Sequence, residues 1–230
     1  MNRRELVNAV AAHTGQDTKT VDAVRLRAAV AAGLTVLGEN RVQEGADKRP
    51  AVDGATWHLI GPLQSNKAKR ALQTFDVIQS VDGVDLGERL DRLAAEVRPD
   101  GRVPILVQVN VDADPAKAGV LPGDAAALVE RLVALPRLEV RGLMTIGRFG
   151  VTEGVSRTTF RALRELGTGL RRTVPALGPD LSMGMSDDFE IAVEEGATIV
   201  RVGRAVFGER PHRHDEGAGD TDTDPGHAHG

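Results

Sequence analysis

A chain of 230 residues with 41% hydrophobic content is long enough to bury one full α/β core. Its net charge of −4 offers no basic field for nucleic acid or anionic lipid, and the absence of cysteine excludes disulfides, thiolate metal sites and a catalytic thiol. No run approaches the ~20 apolar residues a bilayer span requires, and the charged opening Met1-Asn2-Arg3-Arg4-Glu5-Leu6 lacks the apolar centre of a signal peptide. The expectation is a cytoplasmic protein with no membrane and no nucleic-acid partner.

Short β-rich runs alternate with longer helical patterns along the chain. Residues 1–17 read as an amphipathic N-terminal helix, with Ala9-Val10-Ala11-Ala12 inside it. Strands are predicted at 34–37, 56–60, 77–80, 105–111, 140–146, 181–183 and 199–202. Helices are predicted at 20–32, 41–49, 65–74, 84–97, 122–134, 155–172 and 187–195, with a last turn after Gly203. The run Ile105-Leu106-Val107-Gln108-Val109-Asn110-Val111 is apolar almost throughout, as a strand buried on both faces should be. Asp124, Ser156 and Ser186 stand where helix N-caps are expected, and Gly33 and Gly196 where helices should stop. Seven strand–helix units with short connections favour a closed (β/α)8 barrel of the TIM type over an open sheet. The eighth strand should precede residue 20, yet His13-Thr14-Gly15-Gln16-Asp17-Thr18 is a poor strand, so the first strand is expected to be atypical or incomplete. Residues 18–210 then form the barrel. Residues 211–230 are expected to be a disordered, solvated tail, because almost nothing in them is apolar. Four of the six histidines lie there, as His212-x-His214 and His227-x-His229, and no metal is assigned to them.

A barrel's active site lies at the C-terminal ends of its strands. Those ends carry Lys19, Gly38-Glu39-Asn40, His58, Ser80, Asn110, Met144, the stretch Ser182-Met183-Gly184-Met185-Ser186, and Arg201 with Gly203-Arg204. The last two segments are apolar runs that stop at a glycine and a polar or basic residue before a helical pattern. Such a turn lets backbone N–H groups approach phosphate oxygens. There are no paired carboxylates for glycoside hydrolysis and no metal-ligand cluster. A lysine opposite a phosphate cup suits pyridoxal phosphate, whose aldehyde condenses with the ε-amine. Of the five lysines, Lys48, Lys67 and Lys69 read as polar helix faces and Lys117 as a loop residue.

Several blocks carry a closer resemblance. Thr18-Lys19-Thr20, Gly38-Glu39-Asn40-Arg41-Val42-Gln43-Glu44, Trp57-His58-Leu59-Ile60-Gly61-Pro62-Leu63-Gln64-Ser65-Asn66-Lys67, Arg141-Gly142-Leu143-Met144, Met183-Gly184-Met185-Ser186-Asp187-Asp188 and Val206-Phe207-Gly208-Glu209-Arg210 resemble the pyridoxal phosphate homeostasis protein family in order and spacing. The resemblance implies a barrel like the N-terminal domain of alanine racemase, with pyridoxal 5′-phosphate on a lysine ending the first strand. Lys19 matches that lysine. The cofactor-binding residues it implies are Lys19, Asn40, Ser182, Met183, Gly184, Ser186, Arg201, Gly203 and Arg204. Arg204 departs from the small hydroxyl residue usual after that glycine, and either reaches the phosphate or points away. The polar stretch before Lys19 departs from the family's apolar strand. The opening residues instead resemble the first helix of bacterial histone-like proteins, from which no DNA binding is inferred.

The implied role is reversible cofactor binding and delivery, with influence on amino-acid and keto-acid balance, by a monomer that meets pyridoxal phosphate-dependent apoenzymes. Two alternatives stay open: a weak racemase-like enzyme, and a cofactor-free remnant. Racemisation on this fold resembles a two-base mechanism needing a tyrosine, and the chain has none. His58 is the one strand-end candidate base, and reads as a hydrogen-bonded structural histidine.

Overall fold

Apolar strands that alternate with one-faced helices bury both surfaces when the strands pair in parallel and the helices cover them outside. A computed structural model, described over the backbone of residues 8–12 and over residues 23–148 and 150–208, follows that solution. Its strands are β1 (Asn8–Ala12), β2 (Val36–Glu39), β3 (Thr56–Leu59), β4 (Val77–Val81), β5 (Val103–Gln108), β6 (Leu138–Met144), β7 (Asp180–Met185) and β8 (Ile199–Val202). They form a closed parallel barrel in sequence order. The helices are α1 (Ala23–Ala31), α2 (Val42–Lys48), α3 (Ala68–Thr74), α4 (Val84–Val97), α5 (Ala125–Val133), α6 (Glu153–Thr173), α7 (Phe189–Glu194) and α8 (Arg204–Phe207).

The seven predicted strands recur within a few residues of their expected positions. The N-terminal helix does not. Residues 8–12, expected to be helical, are strand β1. Asn8 to Ala11 pair with Ile199 to Val202 of β8, and Ala11 and Ala12 pair with Leu37 and Gly38 of β2. A five-residue run of small residues has no period that separates helix from strand. A gap between β2 and β8 would leave two rows of backbone groups unpaired, and closure satisfies them. The barrel therefore includes residues 8–12, ahead of the expected start at 18. The remaining parts of the 1–17 segment and the 211–230 tail fall outside the described residues.

The main core fills the space between barrel and helices, and includes Trp57, Phe75, Ile105, Leu132 and Phe160, each almost wholly buried. A second, smaller cluster of Ile60, Val77, Leu106, Met144 and Ile199 draws one residue from each of several strands and plugs the barrel interior. Gly33 and Gly196 end their helices with φ of 95° and 92°, as expected of helix stops. Strand β5 ends at Gln108, short of the predicted 111. Beyond it the Asn110 side chain folds the chain back, donating to the Asp114 and Lys117 carbonyls and accepting from the Asp114 N–H. Of the predicted caps, Asp124 stands at the N-cap position of α5, but that position is Thr152 in α6 and Asp188 in α7. No helix among the described residues is long and apolar enough to cross a membrane.

Asp76 precedes β4, and its carboxylate ties three segments together. Arg49 donates to it twice at 2.9 Å and the Trp57 N–H once at 2.7 Å. Burial pushes its pKa up, but the bonds from Arg49 and Trp57 outweigh burial and hold the carboxyl below its usual range. A group depressed in the folded state adds stability above its unfolded pKa and loses it as pH falls through the folded value. Asp76→Asn is expected to cost about 1–2 kcal/mol at neutral pH, modest because the ion pair is partly solvated. In denaturant unfolding, the gap from wild type should narrow in acid.

Candidate functional site

The C-terminal ends of β7 and β8 bring the two expected phosphate turns together. At the end of β7, Gly184 has φ of 89°, and a Cβ there would lie 2.4 Å from the Ala192 Cβ of α7. The missing side chain lets α7 sit against the strand. After β7, the Met185 N–H donates to Asp188 Oδ1 at 2.7 Å, and the Asp188 N–H returns to the Met185 carbonyl at 3.1 Å. This closes the turn with Ser186 inside it. Ser186 Oγ accepts from the Gly203 N–H at 3.2 Å, so the turn after β7 touches the turn after β8. Ser186 thus serves the cup instead of capping α7. Of the two orientations open to Arg204, its guanidinium takes the outward one and pairs with Asp187.

Beneath this cup, the barrel interior is polar. Alternation along the strands sets Gln79 and Arg201 two residues beyond the apolar plug residues Val77 and Ile199. Arg201 is 2% exposed. Its guanidinium donates to Ser182 Oγ at 2.6 Å and to the Thr145 carbonyl at 2.7 Å, two neutral acceptors. Burial lowers its pKa to about 10, with Asp188 opposing, and it stays charged. Ser182 Oγ donates to Gln79 Oε1 at 2.6 Å, and Gln79 Nε2 lies 2.7 Å from His58 Nδ1. Burial, helped by the charge of Arg141, lowers the His58 pKa to about 4. The ring is therefore neutral near pH 7, and its Nδ1 lone pair is engaged. His58 behaves as the structural histidine expected.

At the end of β2, Asn40 sits at a corner whose fit is backbone to backbone. A Cβ on Gly61 would lie 2.2 Å from the Asn40 carbonyl oxygen. The preceding residue, Glu39, is buried and paired at 2.5 Å with Lys48 from α2, and Glu44 approaches the same ammonium at 3.8 Å. Lys48 is 6% exposed, which corrects its reading as a polar-face residue. Lys67 is exposed and Lys69 forms a surface pair with Glu96, as expected of a helix face. Lys117 lies in the loop after β5, 3.6 Å from Asp112.

Of the predicted site residues, Ser182, Gly184, Ser186, Arg201, Gly203 and Arg204 lie at the ends of β7 and β8, Asn40 directly follows β2, and the Met183 side chain is buried in the main core between barrel and helices. Lys19 lies outside the described residues. Two further functional residues are Gln79, whose signal is polarity inside a wholly buried strand, and Thr145, which directly follows β6.

Comparison with known proteins gives the same picture. Residues 2–211 match the family described as alanine racemase, N-terminal domain. The pyridoxal phosphate homeostasis protein of Pseudomonas aeruginosa is 42% identical over 200 residues, covering 85% of this chain and 83% of that protein. Its counterpart from Aquifex aeolicus is 41% identical over 199 residues, covering 85% and 86%. The structure of PipY from Synechococcus elongatus with PLP bound superposes with a TM-score of 0.78 at 40% identity, covering 88% of this chain and 92% of that one. Alanine racemase from Clostridium difficile shares the fold alone, at 12% identity and a TM-score of 0.68, covering 92% of this chain and 57% of the racemase chain. The chain belongs to the alanine racemase N-terminal domain family, among the pyridoxal phosphate homeostasis proteins.

Proposed function

We propose that the chain binds pyridoxal 5′-phosphate reversibly, retains it and passes it on, and so contributes to homeostasis of that cofactor without strong catalytic activity of its own. Handing the cofactor to apoenzymes, acting as a monomer and working in the cytoplasm belong to the same proposal. The observation that carries it is a buried cation next to a hydroxyl-and-glycine cup. Among the described residues no carboxylate forms an ion pair with Arg201, and the Ser186 and Gly203 turns touch each other directly above the same strands. Desolvated positive charge favours a ligand that brings negative charge or strong acceptors. That donor set fits a phosphorylated ring.

The residues that would hold the group are Lys19, Asn40, Ser182, Met183, Gly184, Ser186, Arg201, Gly203 and the backbone of Arg204. When bound, pyridoxal phosphate supplies an aldehyde that condenses reversibly with a primary amine. Lys19 would provide that amine. Ser186 Oγ and the Gly203 turn would bind phosphate oxygens. Arg201 would present its guanidinium from the barrel interior, and Asn40 would act from the β2 corner. The Arg204 guanidinium is committed to Asp187. A racemase needs a second proton carrier, and this chain offers neither a tyrosine nor a His58 ring with Nδ1 free.

Absorbance titration of the full chain with pyridoxal phosphate should show saturable binding, about tenfold weaker in Ser186→Ala. Incubation of the loaded protein with single enantiomers of alanine and serine should leave them unchanged by chiral analysis. Sustained turnover would overturn the carrier reading.

A further inference from the structure

Four buried side chains cross the barrel interior in one hydrogen-bonded file: Arg201, Ser182, Gln79 and His58. They come from β8, β7, β4 and β3, so the file runs across the barrel and not along one strand. Its direction follows from donor chemistry. Arginine only donates, so the Ser182 oxygen accepts from it, and the one serine proton goes to Gln79 Oε1. The Gln79 amide then turns its NH2 toward His58, whose Nδ1 can only accept. The proton of the neutral ring is left on Nε2. Reversing the amide would give the Ser182 oxygen two donors and its own proton no acceptor in the file. It would also demand a proton on His58 Nδ1.

We propose that Gln79 is a positioning residue for Arg201: by fixing the direction of this file it keeps the Ser182 oxygen as the acceptor that aims the guanidinium at a bound cofactor. The aim toward a cofactor rests on the function proposed above, whereas the file itself does not. The other anchor of Arg201 is the Thr145 carbonyl, and Thr145 is itself fixed, donating from Oγ1 to the Val109 carbonyl at 2.8 Å and from its N–H to the Ser182 carbonyl at 3.0 Å. Without Ser182 as acceptor, the guanidinium keeps one rigid anchor and can swing about it. The low pKa of His58 keeps the far end of the file neutral under ordinary conditions.

The test uses the full chain with Gln79→Glu and Ser182→Ala, read by NMR of the His58 ring without ligand and by pyridoxal phosphate titration. A carboxylate at this position cannot donate to Nδ1, so in Q79E the ring should titrate with a midpoint above its ordinary value of about 6.5. S182A, two hydrogen bonds away from the imidazole, should shift the same ring resonances, which a merely structural role would not do. Both variants should bind pyridoxal phosphate about tenfold more weakly. If Q79E does not fold, Gln79→Met removes the same bond without adding charge, and should move the His58 resonances and weaken binding alike. Unchanged His58 resonances in S182A would overturn the file, whatever the cofactor does. Shifted resonances with wild-type affinity in both variants would overturn the positioning role. A wild-type chain that binds no pyridoxal phosphate would overturn the function proposed above and the role toward the cofactor, with the His58 shifts still deciding the file.

Discussion

Replacing Gly184 with valine should lower folding stability by about 3 kcal/mol or more and eliminate retention of pyridoxal phosphate. Two costs add. The backbone at this position has φ of 89°, in a region that a β-branched residue reaches only under strain. The new Cβ would also stand 2.4 Å from the Ala192 Cβ and 3.2 Å from the Phe189 Cα. The second neighbour is backbone, so no side-chain rotation relieves it. Helix α7 must then move off β7, and Ser186, two residues on, moves with the turn that holds it against Gly203. Denaturant unfolding reads the first effect and absorbance titration the second. A variant as stable as wild type would show that α7 is not seated on this strand.

Lys48→Met should be comparably damaging, at about 3–5 kcal/mol, because it leaves Glu39 buried without its cation. Only 2% of Glu39 is exposed, and among the described residues its Oε2 has no hydrogen-bond partner even before the substitution. Burial is the main cause that raises its pKa to about 7, against the pull of Lys48 at 2.5 Å. The sign of the pH dependence follows. A carboxyl raised in the folded state contributes stability that is fully present below the unfolded value of 4.5, and that contribution is lost as pH rises through about 7. Glu39→Gln should therefore flatten the decline in melting temperature between about pH 5 and pH 8. In Lys48→Met the decline should steepen and extend to higher pH. A parallel pH profile in all three proteins would contradict the buried pair. Because Glu39 adjoins Asn40, the same variants should also disturb the β2 corner of the cofactor site.

The barrel was legible because seven strands carry their own signal: short apolar runs bounded by glycine or polar residues, each followed by a one-faced helix. Strand β1 was not. Its Asn-Ala-Val-Ala-Ala run suits a helix as well as a strand, and only pairing with β2 and β8 decides between them. The phosphate turns were legible for a local reason, since a glycine with positive φ and a serine in a tight turn are properties of a few adjacent residues. Lys48 and Gln79 were not, because their roles depend on partners on other elements. Lys48, at the end of α2, meets Glu39 at the end of β2, and Gln79 meets Ser182 from a strand 103 positions away. Helical periodicity assigns a lysine to the polar face by default, and only the packed neighbour shows that it is buried. Gln79 left a trace, as a polar residue within Val77-Ile78-Gln79-Ser80-Val81, a strand that is buried throughout. A search confined to strand ends passes over it. Lys19 stands between these cases. Spacing from Gly38 selects it, and it lies outside the described residues.

Reversible cofactor binding of the kind proposed requires one amine, that of Lys19, to take the aldehyde. The direct measurement is borohydride reduction of the full chain after incubation with pyridoxal phosphate, followed by proteolysis and mass spectrometry. The result expected is a pyridoxyl group on Lys19, absent in Lys19→Ala. A pyridoxyl group on no lysine, or on exposed Lys67 and Lys69 while Lys19 stays unmodified, would contradict it.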